Sequence, residues 1–230
     1  MEIHCYDFLD QEKSVFNVLR PDEREMIERS YQSKRVKRGE VIFCEGEHPV
    51  GLICLSNGKV KVYKEGIGGR DQIIRMAKPV GFIGYRALFA EERHKATAVA
   101  IEDSTICIIQ KEALFNVMQK NSALTMNIIK AFATELGFTI NRIVSLTQKH
   151  VRGRLAESLL FLADTYGYEN DGSTLKIYLR REELASLSGM TTSNAIRTLS
   201  NFSDENIIAL NGKSIKILDA SGLKNISERG

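Results

Sequence analysis

Residues 179–201 read LRREELASLSGMTTSNAIRTLSN, and the fold turns on how this stretch is read. Leu184, Leu187 and Ser188 follow a run of charges, which predicts an amphipathic helix over residues 181–188. Ala185 is small enough to let a second helix cross closely. Gly189 stands where a tight turn needs a backbone with φ above zero. Thr191 or Thr192 then offers a hydroxyl to cap a new helix. Ala195, Ile196 and Leu199 are the expected buried stripe of that helix. Thr192, Ser193, Asn194 and Arg197 fall on its open side. Arg and Asn are the residue types that bond in pairs to guanine and adenine edges. The expectation is two crossed helices, the second lying in a DNA groove. An ordinary helical hairpin with a solvated face is the alternative, since many helix pairs place glycine at a tight turn.

The rest of the chain bounds this reading. Its 230 residues suffice for one large domain or two modest ones. With 43% hydrophobic and 27% charged residues it has the composition of an ordinary globular protein. A net charge of +3 attracts anions only weakly, so the basic signal is local, as in KHVRGR over residues 149–154. The opening MEIHCYDFLD is not a basic segment followed by an apolar run. No apolar run approaches the ~20 residues of a membrane helix, so no membrane partner and a cytoplasmic location are expected. Cys5, Cys44, Cys54 and Cys107 are scattered without a C-x-x-C pair. That spacing predicts no disulfide framework, zinc site or iron–sulfur cluster, and no other metal site is expected. Cys44, Cys54 and Cys107 sit in apolar runs and are expected to be buried, with Cys5 the exposed thiol.

Residues 8–30 read as helix, with Pro21 at a first helical turn and Asp22, Glu23 and Glu25 near its positive end. From residue 33 to 109 the pattern changes to strands: VIFC, GLICLS, KVKVYK, QIIRMA, TAVAI and STICII. Asn57-Gly58 between two such runs is a hairpin signal, and the set predicts a small barrel or roll. The glycines of GIGG, residues 66–69, lack the spacing of a phosphate loop and precede a strand, so they read as a hairpin tip. Residues 122–147 form a long helix. One stripe, Met126, Ile129, Ala133, Leu136, Ile140 and Ile143, alternates spacings of 3 and 4 like a coiled-coil seam. A second face carries Leu124, Ile128, Phe132 and Phe138. Two apolar faces need two partners, so one is expected against the roll and the other against a second copy; burial within one chain is the alternative. Gly137 costs the helix ~1 kcal/mol against Ala and is expected at a close contact. Residues 149–154 read as a hinge and 155–166 as an amphipathic helix ending at Gly167. LKIYL reads as a strand, IIALNGKSIKIL as a hairpin or wing around Asn211-Gly212, and the tail from Ala220 as at most a short polar helix.

In this order the pieces resemble the Crp/Fnr family of transcription regulators over roughly residues 10–220. VIFCEGEHPVGLICLSNGKVKVYK is similar to the middle strands of that family's roll. GFIGYRALFAEERHKATAVA resembles its phosphate-binding cassette, and HVRGRLAESLLFLA its hinge and first DNA-domain helix. The resemblance implies an α+β chain: an N-terminal double-stranded β-helix (a jelly roll of the cyclic-nucleotide-binding kind), a long dimerisation helix and a C-terminal winged helix-turn-helix. The corresponding ranges are 1–120, 121–148 and 149–230. It implies a homodimer on a two-fold-related double-stranded DNA site, with recognition helices ~34 Å apart, and adds RNA polymerase as a candidate partner.

For the sensor domain the resemblance is incomplete. Gly84 fits the cassette glycine. Tyr85 stands where the family's cyclic-AMP receptor has a Glu for the ribose, Lys95 in place of the phosphate-binding Arg, and Ala96 in place of its Ser neighbour. Thr139 matches an adenine-contacting Thr, and Ile140 replaces the following Ser. Tyr85 cannot accept bonds as a carboxylate does and Lys lacks the fork of Arg, so cyclic AMP is not the expected effector and its identity stays unknown. Arg86, Arg93 and Lys95 form either an anion-attracting pocket or a solvated loop. The clustered N-terminal cysteines of the family's iron–sulfur branch are absent. Haem is left open on His48, His94, Met76 and Met118, which are ligand types without a distinguishing pattern.

On the DNA side the match is closer. Arg152, Arg180, Thr191, Asn194 and Lys213 lie where family members touch phosphate, with Arg181 beside them. Thr192, Ser193 and Arg197 lie where bases are read. Ser193 replaces a family Glu, which removes an acceptor for cytosine and predicts a different operator. The leading reading is a dimeric, sequence-specific regulator whose DNA domains shift about residues 148–152. The alternative is a sensor module that docks another protein, against which Arg152, Arg180 and Arg181 argue. A barrel enzyme is not expected, because His4, His48, His94 and His150 are unpaired in sequence.

Overall fold

The computed structural model describes residues 8, 9 and 11–229. In chain order the first elements are α1 (Pro21–Ser30), β1 (Tyr31–Val36), β2 (Val41–Phe43), β3 (Gly51–Asn57), β4 (Val60–Glu65), β5 (Asp71–Ala77), β6 (Phe82–Ile83), α2 (Tyr85–Phe89), β7 (Thr97–Ala100) and β8 (Ser104–Gln110). There follow α3 (Lys111–Lys120), α4 (Ser122–Gln148), α5 (Val151–Tyr166), α6 (Arg181–Leu187), α7 (Thr192–Asp204), β9 (Ile208–Asn211), β10 (Ser214–Ile217) and α8 (Ala220–Arg229). Two compact units result, one of residues through Glu65 with Ile74–Gly137, the other of Gly66–Ile73 with Phe138–Gly230.

Period-two burial builds the first unit. Two antiparallel four-stranded sheets, ordered β1-β8-β3-β6 and β2-β7-β4-β5, form the roll. Ile53 and Leu55 of β3, with Ile106 of β8, point into its interior among Val36, Phe43, Val60, Val62, Ala98 and Ala100. The alternate residues Leu52, Cys54, Cys107 and Ile109 face outward into a second core with Ile27, Leu114, Val117, Leu124 and Ile128. Strands covered on both faces read as continuous apolar runs, which is why GLICL and STICII show no alternation in sequence. The fold class is α+β, as the resemblance implies.

In the second unit, α5 packs on α8, and α6 crosses α7 beside the β9–β10 hairpin. Glu183 starts α6 by accepting from the Arg180 N–H at 2.8 Å. Thr191 starts α7, its Oγ1 accepting from the Asn194 N–H at 3.2 Å. Between them Gly189 adopts φ +61, and a Cβ there would lie 2.6 Å from Leu146 Cδ2. The Ser186 hydroxyl donates to Asp71 O at 2.7 Å and accepts from Ile73 N at 2.8 Å, so residues 71–73 brace the end of α6.

Several expectations need correction. Residues 11–20 are turns and α1 begins only at Pro21. LKIYL forms no strand: only its first residue, Leu175, makes an isolated bridge, to Tyr168, because no neighbour continues the ladder. Ile196 is exposed; the buried stripe of α7 is Ala195, Thr198, Leu199 and Phe202, at helical spacing. The break after α4 is only Lys149 and His150. The tail is a ten-residue helix anchored by buried Leu223. Cys44 is exposed and Cys54 buried, both free thiols. Cys107 is buried but disulfide-bonded, a pairing that sequence spacing did not reveal. Cys5 and His4 lie outside the described residues.

Gly189→Ala combines an unfavourable backbone conformation with a clash, so it is expected to lower stability by at least ~1–2 kcal/mol, read as a fall in the urea midpoint. An unchanged midpoint would show that the turn relaxes without cost.

Candidate nucleic-acid interface

The exposed face of α7 is built outward from its cap. Thr191 holds the Asn194 backbone, and Arg197 Nη2 donates to Asn194 Oδ1 at 2.8 Å. The three residues follow one another at i, i+3 and i+6, so each restricts the next. Ser193 and Arg197 are exposed; Thr192 and Asn194 are half-buried. Ile196 joins this face with 48% of its surface exposed. Sequence reasoning missed it by placing it with Ala195, although adjacent helical residues point about 100° apart. Its apolar side chain is suited to a thymine methyl.

Around this face the basic residues differ in what holds them. Arg180 caps α6 and pairs with Glu183 Oε1 at 3.4 Å. Arg181, the first residue of α6, donates from Nη2 to Gly212 O at 2.8 Å. Lys213 completes the two-residue turn between β9 and β10. Arg152 lies at the C-terminal end of α7. It forms a forked ion pair with Glu205, one arm at 2.8 Å, and stacks over Phe202 at 4.7 Å. These bonds hold Glu205 below its usual carboxylate range. A cavity of about 390 Å³ beside it is lined by His150, Arg152, Asn225, Ile226 and Arg229.

The cassette residues lie in the first unit. Gly84 has φ +71, and a Cβ there would meet His94 Cε1 at 2.9 Å. His94 is buried and stacked on Phe43 at 3.8 Å, and burial holds its imidazole below the usual range. The ring of Tyr85 stacks on Phe132 of α4 at 4.8 Å, under Arg75, which pairs with Glu135 at 2.7 Å. Burial pushes the Tyr85 phenol above its usual range. Arg86 and Lys95 do not stand open. Both bond Glu92 Oε2, at 3.1 and 2.9 Å, and hold its carboxyl below the usual range, Lys95 more than Arg86. Arg93 donates to Gly46 O at 2.8 Å, and Ala96 is buried.

Thr139 and Ile140 lie on the part of α4 assigned to the second unit, both exposed. Of the haem-type side chains, His48 is exposed while Met76 is buried. Among the described residues no three His, Cys, Asp or Glu side chains gather as a metal site, and no helix is long and apolar enough to cross a membrane. Along α4, Met126, Ile129, Ala133, Leu136, Ile140 and Ile143 are all exposed. Leu124 and Ile128 are buried, and Phe138 packs on Phe161 at 5.2 Å.

A family model for the cyclic nucleotide-binding domain matches residues 33–121, and one for the Crp-like helix-turn-helix domain matches residues 153–226. The chain belongs to the Crp/Fnr family of transcription regulators. As a member it is a DNA-binding regulator. It is 26% identical over 210 residues to the CRP-like cAMP-activated global transcriptional regulator of Mycobacterium tuberculosis, covering 91% of this chain and 94% of that one. It is 25% identical over 206 residues to the anaerobic regulatory protein of Bacillus subtilis, covering 89% and 87%. A CRP/FNR-family transcriptional regulator of Thermus thermophilus matches in structure with a TM-score of 0.73 at 25% identity, over 86% of this chain and all of that one. FixK2 of Bradyrhizobium japonicum shares the fold, with a TM-score of 0.76 at 21% identity over 85% and 96%.

In this Crp/Fnr-family chain the cap of α7 aligns the groups that face outward. Thr191→Ala is expected to cost about 0.5–2 kcal/mol of stability, measured by urea unfolding. A loss near zero would mean that water caps the helix equally well.

Proposed function

We propose that this regulator acts as a homodimer reading a two-fold-related DNA site, with α7 of each copy in successive major grooves. The observation that carries the reading is the exposed face of α7, on which Asn194 holds Arg197 while no carboxylate among the described residues engages it. Arg197 bonds a guanine edge, Thr192 and Ser193 add hydroxyls, and Ile196 meets a thymine methyl. Arg152, Arg180, Arg181, Thr191, Asn194 and Lys213 serve the phosphates. Arg152 exchanges its exposed partner Glu205 for phosphate, since such surface pairs are weak enough to yield, whereas Arg180 is itself exposed and keeps buried Glu183 as its cap.

The apolar stripe from Met126 to Ile143 supports the dimer. Six exposed positions along one helix are an interface-sized strip rather than scattered surface residues. A coiled-coil pairing of α4 with its copy buries them.

Cyclic AMP is not the effector in this reading. Glu92 already supplies the negative charge that a cyclic phosphate would bring to Arg86 and Lys95, and the Tyr85 ring lies against Phe132. The signal that moves the DNA domains about residues 148–152 is then another molecule, which must favour one arrangement over the other.

Selection of bound duplexes from a random pool tests the whole reading, and repetition with cell metabolites or haem addresses the effector. Enrichment of a two-fold-related site supports it; no enrichment under any condition sinks it. Arg197→Ala is expected to weaken binding to the selected site by ~1–3 kcal/mol and to relax preference at one base pair. An unchanged sequence preference would remove Arg197 from base reading. Ile143→Glu is expected to give monomers by light scattering, and a persistent dimer would place the interface elsewhere.

A further inference from the structure

Arg181 is held by backbone rather than by a carboxylate. It is the first residue of α6, and its guanidinium reaches across to the tip of the β9–β10 hairpin. Nη2 donates to Gly212 O at 2.8 Å. Nη1 is buried without a hydrogen-bond partner, and no carboxylate pairs with Arg181 among the described residues. Arg180, its neighbour, is by contrast tied to Glu183.

The bonded carbonyl belongs to the peptide that joins Gly212 to Lys213. Gly212 has φ +57 with open space around it, so nothing steric fixes that peptide. The strands on either side are four residues each, and their ladder ends at the Asn211–Ser214 pair. The strands are anchored by buried Ile208, Ile215 and Ile217, whereas the tip from Asn211 to Lys213 is exposed and takes its order from what touches it. α6 is itself anchored by buried Leu184, Ala185 and Leu187.

The geometry points to Arg181 as the positioning residue for the wing: its guanidinium clamps the Gly212–Lys213 peptide to α6 and so aims Lys213. This rests on the reading of Lys213 as a phosphate contact, but the clamp stands apart from DNA. The fork of Arg can hold the carbonyl through one arm while the other stays free, which a Lys cannot do with the same rigidity.

The test has two arms on the full chain. In the free protein, amide hydrogen exchange is compared for wild type, Arg181→Ala and Arg181→Met; the methionine keeps the apolar stem if the alanine fails to fold. Faster exchange confined to residues 211–214, with α6 and α7 unchanged, is the expected result. Unchanged exchange at the wing overturns the clamp.

In the second arm the salt dependence of binding to a selected duplex is measured for Lys213→Ala alone and on the Arg181→Met background. Lys213→Ala alone is expected to reduce the salt slope by about 1, and to change it little once Arg181 is gone. Additive losses overturn the proposal. If Lys213→Ala leaves the wild-type slope unchanged, the phosphate reading of Lys213 falls, while the exchange arm still decides the clamp.

Discussion

The left-handed backbone at Gly189 is the constraint on which the reading head rests. A side chain there would meet Leu146, and the conformation itself is unfavourable for any residue with a Cβ. With that turn allowed, Ala185 and Ala195 are both buried where α6 and α7 pack, and Thr191 arrives one residue before α7 to cap it. From the cap the order passes outward through side chains, Thr191 to Asn194 to Arg197. The exposed face of α7 is therefore set from inside. In the proposed reading, part of the ordering of Arg197 precedes contact with DNA, which lowers the rotamer entropy lost on binding.

Charge pairing separates the residues that build from those left to bind. Arg75, Arg86, Lys95, Arg152 and Arg180 each have a glutamate partner. Arg197 is bonded to a neutral amide, and Arg181 to a backbone carbonyl. With a net charge of only +3, the field that draws DNA is not spread over the molecule. Position therefore matters more than total charge. The same sorting bears on the sensor roll. Its cassette retains the glycine and two cations of an anion site, but the Glu92 carboxylate lies between them and the Tyr85 ring packs on α4.

Much of this was legible in the sequence because local rules agree there. The glycine, the threonine cap and the apolar spacing of residues 179–201 all specify the same turn, and Asn57-Gly58 between strand runs specifies a hairpin. What escaped was set by distant partners. Nothing near Arg152 announces Glu205, 53 positions away, and nothing near Lys95 announces that Glu92 is shared with Arg86. Ile196 was misplaced because Ala195 beside it is buried; Thr198 and Phe202 define the face, and a threonine is easily passed over as polar. LKIYL has the composition of a strand but only bridging neighbours. Cys107 looked like a plain core residue, since a disulfide depends on which chain segments meet rather than on spacing.

Gly137 shows how the proposed dimer and the fold constrain each other. A glycine within a 27-residue helix costs ~1 kcal/mol against alanine, and beyond its own helical turn no described residue approaches within 4 Å of where a Cβ would be. Leu136 on one side is 62% exposed, and Ile140 and Ile143 continue the strip. A second α4 lying along this strip would bring backbone close to backbone where the side chain is missing, as small residues allow between helices. In the proposed dimer the glycine marks the closest approach of the two helices, and it falls where the chain passes from the roll-bearing unit to the DNA-reading one. A helix pair fixed at that point sets the spacing of whatever follows it, so a change in how the two helices meet would be felt at both reading heads.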